Sequence, residues 1–221
     1  MRTRNQGFSL IELLVVITIL GMLAAGGTVF IRMSNKAKAD TITRQRLSSI
    51  ASALETVKQQ LGSYPPTETR ALRGRNPGEE KLGQKVGVPN ETNIGIETLW
   101  VAFNLNGVQP DMTGLGDDAL ANTDNDEVAE TVGRLSVPQL YEFVDFWGNP
   151  FVYFAARDYK DATKFEKYVS RQNNVETEVK AAPWKSTKTG GFLQEQSFQL
   201  FSMGPDGLPN TDDDIGWALG N

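Results

Sequence analysis

Four aspartates lie close together in the segment Met203 to Ile215, which reads MGPDGLPNTDDDI. They are Asp206, Asp212, Asp213 and Asp214. Carboxylates crowded into one loop repel one another, and a hard cation removes that repulsion. Calcium takes about 6–8 oxygen ligands at about 2.3–2.6 Å, whereas magnesium demands stricter geometry and keeps bound waters. If the loop binds an ion, calcium is therefore favoured over magnesium, and a solvated acidic turn fits these residues equally well.

Another acidic residue of interest, Glu12, lies inside an almost wholly apolar segment that runs from Phe8 to Ile31. A helix over those 24 residues would be roughly 36 Å long at about 1.5 Å per residue, enough to cross a hydrocarbon layer of about 30 Å. We therefore predict a membrane-spanning helix. A secretory signal would have a shorter apolar run followed by a small-residue cleavage site. A plain anchor would leave Glu12 unexplained, because an intramembrane carboxylate is costly and needs a partner.

Composition narrows the function classes. The chain has 221 residues with 22 basic and 27 acidic side chains, a net charge of −5, and neither cysteine nor histidine. Disulfides and thiolate metal sites are excluded, and the commonest general base and zinc ligand are missing. The charge balance argues against a nucleic-acid partner, which would select a clustered basic face.

The string GFSLIELLVV, from Gly7 to Val16, resembles the N-terminal signature of type IV prepilins and type II secretion pseudopilins. The resemblance implies that residues 1–7 are a leader, that a membrane peptidase cuts between Gly7 and Phe8, and that Phe8 is then N-methylated. It also implies that Glu12 serves assembly. The new amine at Phe8 and Glu12 of an adjacent subunit would neutralise each other inside an apolar filament core.

The helix is predicted to continue to Leu61, because helical periodicity persists and no proline precedes Pro65. We divide it into an apolar half, residues 8–31, and an amphipathic half. The amphipathic half and the residues that end it make up region 32–64. Apolar side chains at helical spacing form one stripe on the second half: Leu47, Ile50, Leu54, Val57 and Leu61. Gly62 is predicted to end the helix.

The remaining chain is predicted to form a variable, loop-rich region, 65–137, and a β-sheet region with the acidic loop, 138–221. The first contains a short predicted helix, Ile96 to Leu105, and an acidic cluster that could hold a second ion or be solvated. That cluster comprises Asp117, Asp118, Asp124, Asn125, Asp126 and Glu127. In the second, the turn DFWGNP leads into the predicted strand Phe151 to Phe154, and Ser197 to Ser202 alternates as a half-buried strand does.

The strings DFWGNPFVY and SFQLFSMGPDG resemble the C-terminal half of the type II secretion major pseudopilin. The resemblance implies an α+β fold with the family's ladle shape, in which a long N-terminal helix packs on a small antiparallel sheet. It further implies a calcium site in the C-terminal loop. Matching residue by residue gives Asp206, Asp212 and Asp214 as ligands, with Asp213 pointing to solvent.

The family resemblance implies a structural subunit, not an enzyme, that polymerises with itself into a periplasmic filament and drives protein export by type II secretion. Implied partners are the prepilin peptidase, minor pseudopilins and an inner-membrane assembly platform with its secretion ATPase. The protein would cross the inner membrane once, with its C-terminal domain in the periplasm. A type IV pilin for adhesion, motility or DNA uptake is the alternative. A membrane-anchored enzyme is the contrasting class, and no nucleophile elbow, phosphate loop or metal-hydrolase helix supports it.

Overall fold

A computed structural model describes residues 10–73, 82–84, 90–124, 139–172 and 175–218. The chain divides into two compact units, Met1–Ala39 and Asp40–Asn221. The predicted α+β class is confirmed, because the described residues form a long N-terminal helix, a second helix and small antiparallel sheets. The elements are α1 (Leu10–Leu61), α2 (Ile94–Asn106), β1 (Leu120–Ala121), β2 (Glu142–Phe143), β3 (Val152–Ala155), β4 (Lys167–Gln172), β5 (Val175–Lys180), β6 (Phe198–Ser202), β7 (Ile215–Gly216) and 3-10 helices at Thr69–Ala71, Leu82–Gln84 and Ala156–Lys164.

Helix α1 has 52 residues and ends where the sequence predicts. Gly62 follows it with φ of +78°, a left-handed conformation that glycine adopts without steric cost. Its backbone N–H donates to the carbonyl of Lys58 at 2.7 Å. The two predicted helical residues before Leu10 lie outside the described part of the chain.

The predicted apolar stripe belongs to the core of the unit Asp40–Asn221. Its first four members, from Leu47 to Val57, are at most 1% exposed, and Leu61 is half-buried. They share one hydrophobic cluster with side chains of α2, β3 and β6. The amphipathic prediction for this part of α1 is therefore confirmed.

The central sheet has the strand order β3-β6-β7, and both pairings are antiparallel. Val152 lies opposite Phe201, and Ser202 lies opposite Ile215. Both predicted strands are confirmed within one residue at each end. The half-buried prediction for β6 is wrong, because all five of its residues are buried. Its polar Gln199 donates to the carbonyls of Trp184 and Leu193, so hydrogen bonds replace solvent around it.

Helix α2 confirms the short helix predicted in region 65–137 and extends it at both ends. Eleven of its residues are buried. Its Gly95 allows close packing on β3, since a Cβ there would lie 2.4 Å from the carbonyl oxygen of Tyr153. Part of a region whose composition predicts loops therefore contributes to the core.

The predicted membrane-spanning segment, 8–31, is only partly described. Residues 8 and 9, and the side chains at 21 and 23–31, lie outside what the structure describes. Within the residues it does describe, no helix combines the length and apolarity that crossing a bilayer requires.

Candidate functional site

The first part of α1 presents large apolar side chains to its surroundings. Ten of them between Leu10 and Met22 have exposed fractions of 46–82%. Glu12 lies in the first turn among them and is itself exposed. The hydroxyl of Thr18 donates to the carbonyl of Leu14 at 2.7 Å, so the helix supplies an acceptor for this polar group. The sequence-predicted Gly7 and Phe8 lie outside the described residues.

This arrangement has a chemical consequence for Glu12. Exposed apolar surface on this scale marks a site for lipid or for another apolar surface. Whatever covers the side chains of this segment also removes water from Glu12. A carboxylate in such surroundings requires a cationic or hydrogen-bonding partner. Any surface that covers these apolar side chains must therefore also accommodate the carboxylate of Glu12.

The second candidate site is the C-terminal acidic loop, where Asp206 and Asp213 face each other. The backbone N–H of Asp206 donates to Oδ2 of Asp213 at 3.3 Å, and the hydroxyl of Thr211 donates to Oδ1 of Asp213 at 2.6 Å. Gly204 makes this approach possible, since a Cβ there would lie 2.6 Å from the carbonyl oxygen of Asp213. The structure therefore differs from the expectation that Asp213 points to solvent.

Asp214 is the buried carboxylate of the loop, with 2% of its surface exposed. Its Oδ2 accepts a hydrogen bond from the backbone N–H of Asn210 at 2.7 Å. Burial, together with the charges of Asp213 and Asp206, raises the pKa of Asp214 to about 7, although the hydrogen bond from the backbone of Asn210 lowers it. Three carboxylates thus act on one another here, which is the repulsion that a hard cation would remove.

The predicted ligands are only partly brought together. Asp206 and Asp214 belong to the interacting set, whereas Asp212 is exposed. Among the described residues, the one set of three acidic side chains with an oxygen of each within 4.8 Å of the others is Glu97, Asp124 and Glu142. The loop does not form such a set. The carboxylate oxygens that the loop offers as ligand atoms nevertheless fit the chemistry of calcium, which prefers hard oxygen ligands.

The turn DFWGNP is connected by hydrogen bonds to the start of this loop. Oδ2 of Asp145 accepts a hydrogen bond from the hydroxyl of Ser202 at 2.6 Å, and Oγ of Ser202 accepts one from the backbone N–H of Gly204 at 3.0 Å. The side-chain amide of Asn149 donates to the carbonyl of Gly204 at 3.3 Å. The two C-terminal strings that the sequence singled out are therefore joined by buried hydrogen bonds.

The second predicted acidic cluster divides between two places. Asp118 forms an ion pair of 2.6 Å with the buried Arg46. Asp124 joins Glu97 and Glu142 instead. Asp117 is exposed, and the remaining predicted members, Asn125, Asp126 and Glu127, lie outside the described residues.

Residues 2–28 match the model of the prokaryotic N-terminal methylation motif. The matched residues include Gly7, Phe8 and Glu12. This motif indicates a protein of the type IV pilin-like class, and it implies processing by a prepilin peptidase and assembly into pilus-like polymers. No curated protein and no solved structure matches the chain.

Proposed function

We propose that this protein is a pseudopilin, a structural subunit of a type II secretion system that polymerises into a periplasmic filament and drives protein export. The observation that carries the proposal is an N-terminal methylation motif continuing into a helix whose large apolar side chains are exposed around one carboxylate, Glu12. The order of the strings DFWGNPFVY and SFQLFSMGPDG behind that motif supports secretion over the pilin alternative.

In this proposal, cleavage after Gly7 places a cationic amine on Phe8. Glu12 of a neighbouring copy meets that amine when the apolar helices pack together and exclude water. Opposite charges within about 4–6 Å favour the ionised form of both groups, and breaking such a buried pair costs about 3–5 kcal/mol. The apolar contacts supply the attraction, and the ion pair fixes the register between subunits. Export follows from the growth of the filament, with the prepilin peptidase, minor pseudopilins, assembly platform and secretion ATPase as partners.

Before assembly, the proposal places the apolar segment in the inner membrane, with the C-terminal domain in the periplasm. The exposed apolar side chains of α1 support this placement, because lipid and neighbouring helices are both suitable surroundings for them. The same surface would pass from lipid to the filament core without meeting water.

Calcium is proposed as the ligand of the C-terminal loop, with Asp206 and Asp214 as two of its ligands. The third is Asp212, which the family resemblance implies, or Asp213, whose carboxylate already faces Asp206. Calcium would neutralise the carboxylates and hold the loop closed over the turn at Asp145. Substituting each aspartate by asparagine and measuring calcium affinity of the full chain in detergent identifies the ligands. The absence of any affinity change in all four variants would exclude the loop site.

The assembly proposal is tested first by the intact mass of protein isolated from its native host. We expect the loss of residues 1–7 and the gain of one methyl group. The variant Glu12→Gln should be processed and remain in the membrane fraction, yet form no filament. Thr18→Val is the matched control, since it removes a polar group from the same segment without removing a charge, and it should assemble.

Three results would contradict these expectations. An unprocessed mature protein would remove the prepilin interpretation, and normal filaments from Glu12→Gln would remove the pairing argument. Deletion of the gene should abolish release of exported proteins into the medium. Retained export together with lost adhesion, motility or DNA uptake would replace the secretion function with that of a type IV pilin.

A further inference from the structure

Three acidic side chains from separate elements meet inside the unit Asp40–Asn221. Glu97 lies in the first turn of α2, Asp124 follows β1, and Glu142 begins β2. One carboxylate oxygen of each lies within 4.8 Å of the other two. Glu97 and Glu142 are 0% exposed, and Asp124 is half-buried. These carboxylates therefore share a small volume that water reaches poorly.

In two of these carboxylates, Glu142 and Asp124, one oxygen accepts a hydrogen bond from an N–H group and the other does not. Oε2 of Glu142 accepts from the backbone N–H of Thr123 at 2.8 Å, and Oδ2 of Asp124 accepts from the side-chain amide of Asn90 at 3.1 Å. Within the described chain, no N–H group or hydroxyl donates to the other oxygens of these two carboxylates, Oε1 of Glu142 and Oδ1 of Asp124, and both oxygens are buried. No ion pair among the described residues includes either side chain.

Such a group can be neutralised by protons or by a metal ion. Burial and the adjacent Asp124 raise the pKa of Glu142 to about 8, in keeping with the close approach of the three carboxylates. One proton can bridge two of the carboxylates. A cation can bind all three. Ligands at about 2.3–2.6 Å from one ion are separated by no more than about 5 Å, so the observed oxygens fit within one coordination sphere.

We propose that Glu97, Asp124 and Glu142 bind a divalent cation, with calcium as the best match to buried carboxylate oxygens. The buried oxygen of Glu142 that lacks a donor is the second observation, beside the clustering itself, that points to a ligand. The bound ion would join the start of α2 to β2 and to the segment after β1. This site is separate from the C-terminal loop and does not depend on the proposed function.

The test uses the full chain in detergent, stripped of metal with a chelator and titrated with calcium chloride by calorimetry. Working in the Asp214→Asn background removes the contribution of the C-terminal loop. We expect one calcium equivalent in this background and none after Glu142→Gln is added. Glu178→Gln, on an exposed position of β5, is the matched control and should keep the equivalent. Asp124→Asn, at a half-buried position, should weaken binding at least about tenfold, since affinity follows the charge of the ligands.

The variant Glu142→Gln should also raise the melting temperature of the metal-free protein, because it removes a buried carboxylate from a cluster of three. That result shows that the variant folds, so its loss of calcium binding can be interpreted. The proposal is overturned if Glu142→Gln keeps the calcium equivalent at unchanged affinity. It is equally overturned if the Asp214→Asn protein binds no calcium, since the cluster then holds protons only. If instead only the C-terminal loop site is absent, the wild-type protein should bind one calcium equivalent, and the single variant Glu142→Gln should bind none.

Discussion

Arg46 in α1 offers the sharpest test of how the unit Asp40–Asn221 is held together. Its side chain is 1% exposed, and its guanidinium donates to the carbonyls of Leu115, Val144 and Asp145 at 2.6–3.0 Å. It also donates to Oδ1 of Asp118 at 2.6 Å. The perturbation is Arg46→Met, which keeps an unbranched apolar chain up to about the position of Nε and removes every one of these donors.

The magnitude follows from the acceptors that are left behind. Removing the donor from a buried acceptor costs about 1–3 kcal/mol. Val144 and Asp145 are both buried, and the carbonyl of Asp145 keeps a hydrogen bond from the backbone N–H of Gly148, so its loss lies at the lower end of that range. The ion pair adds little, because the side chain of Asp118 is 73% exposed and such pairs contribute about 0–1 kcal/mol. Part of the loss is offset because methionine carries no charge to desolvate. We expect a net loss of about 3–5 kcal/mol, a large part of the about 5–15 kcal/mol typical of folded domains.

The assay is urea unfolding of the full chain in detergent, followed by tryptophan fluorescence, which includes the half-buried Trp147 beside Asp145. Two controls accompany it. Arg44→Met makes the same change at an exposed position of the same helix and should cost less than about 0.5 kcal/mol. Asp118→Asn removes the ion pair alone and should cost less than about 1 kcal/mol. Equal losses in Arg46→Met and Asp118→Asn would refute the conclusion that the buried carbonyls matter more than the ion pair.

Two further predictions concern the carboxylate sites. Gly204→Ala should lower the melting temperature and the calcium affinity more than Gly190→Ala does. Both glycines have positive φ, but only Gly204 has atoms of Asp213 within 3.0 Å of a new Cβ. Equal losses of melting temperature in the two variants would mean that backbone strain alone, and not contact with Asp213, causes the effect. In chelator, the unfolding free energy should fall as pH rises from about 4.5 to about 8, because folded Glu142 keeps a proton up to a pKa of about 8 that the unfolded chain releases near 4.5. Glu142→Gln should reduce that slope in urea titrations at several pH values, and an unchanged slope would show that other groups cause it.

The parts of the fold that the sequence predicted are those governed by local rules. Helix α1 extends to Leu61 because nothing in its sequence interrupts the backbone hydrogen bonds, and glycine follows at the position where the chain turns left-handed. Strands β3 and β6 follow from short apolar runs bounded by turn residues. The burial of Gln199 could not be predicted, because the groups that satisfy it, at Trp184 and Leu193, come from other segments.

The candidate sites show the same division. The carboxylate of Glu12 interrupts an apolar run, and Glu97 in IETLWVAF and Glu142 in EFV likewise have apolar neighbours along the chain. The sequence therefore marks both glutamates as unusual, but it does not predict that they lie next to each other and to Asp124. Likewise, the clustered aspartates of the C-terminal loop were visible, while which of them face inward depends on the turn at Gly204.

The sequence by itself determined the methylation motif, the extent of the long helix, the apolar stripe and the presence of an acidic loop, because these depend on residues near one another along the chain. Only the tertiary structure decided that Arg46 binds carbonyls from two distant segments, that Asp118 and Asp124 separate, and that three carboxylates converge beside α2. The physical reason is that burial and charge pairing are set by residues far apart in sequence, which no local pattern records.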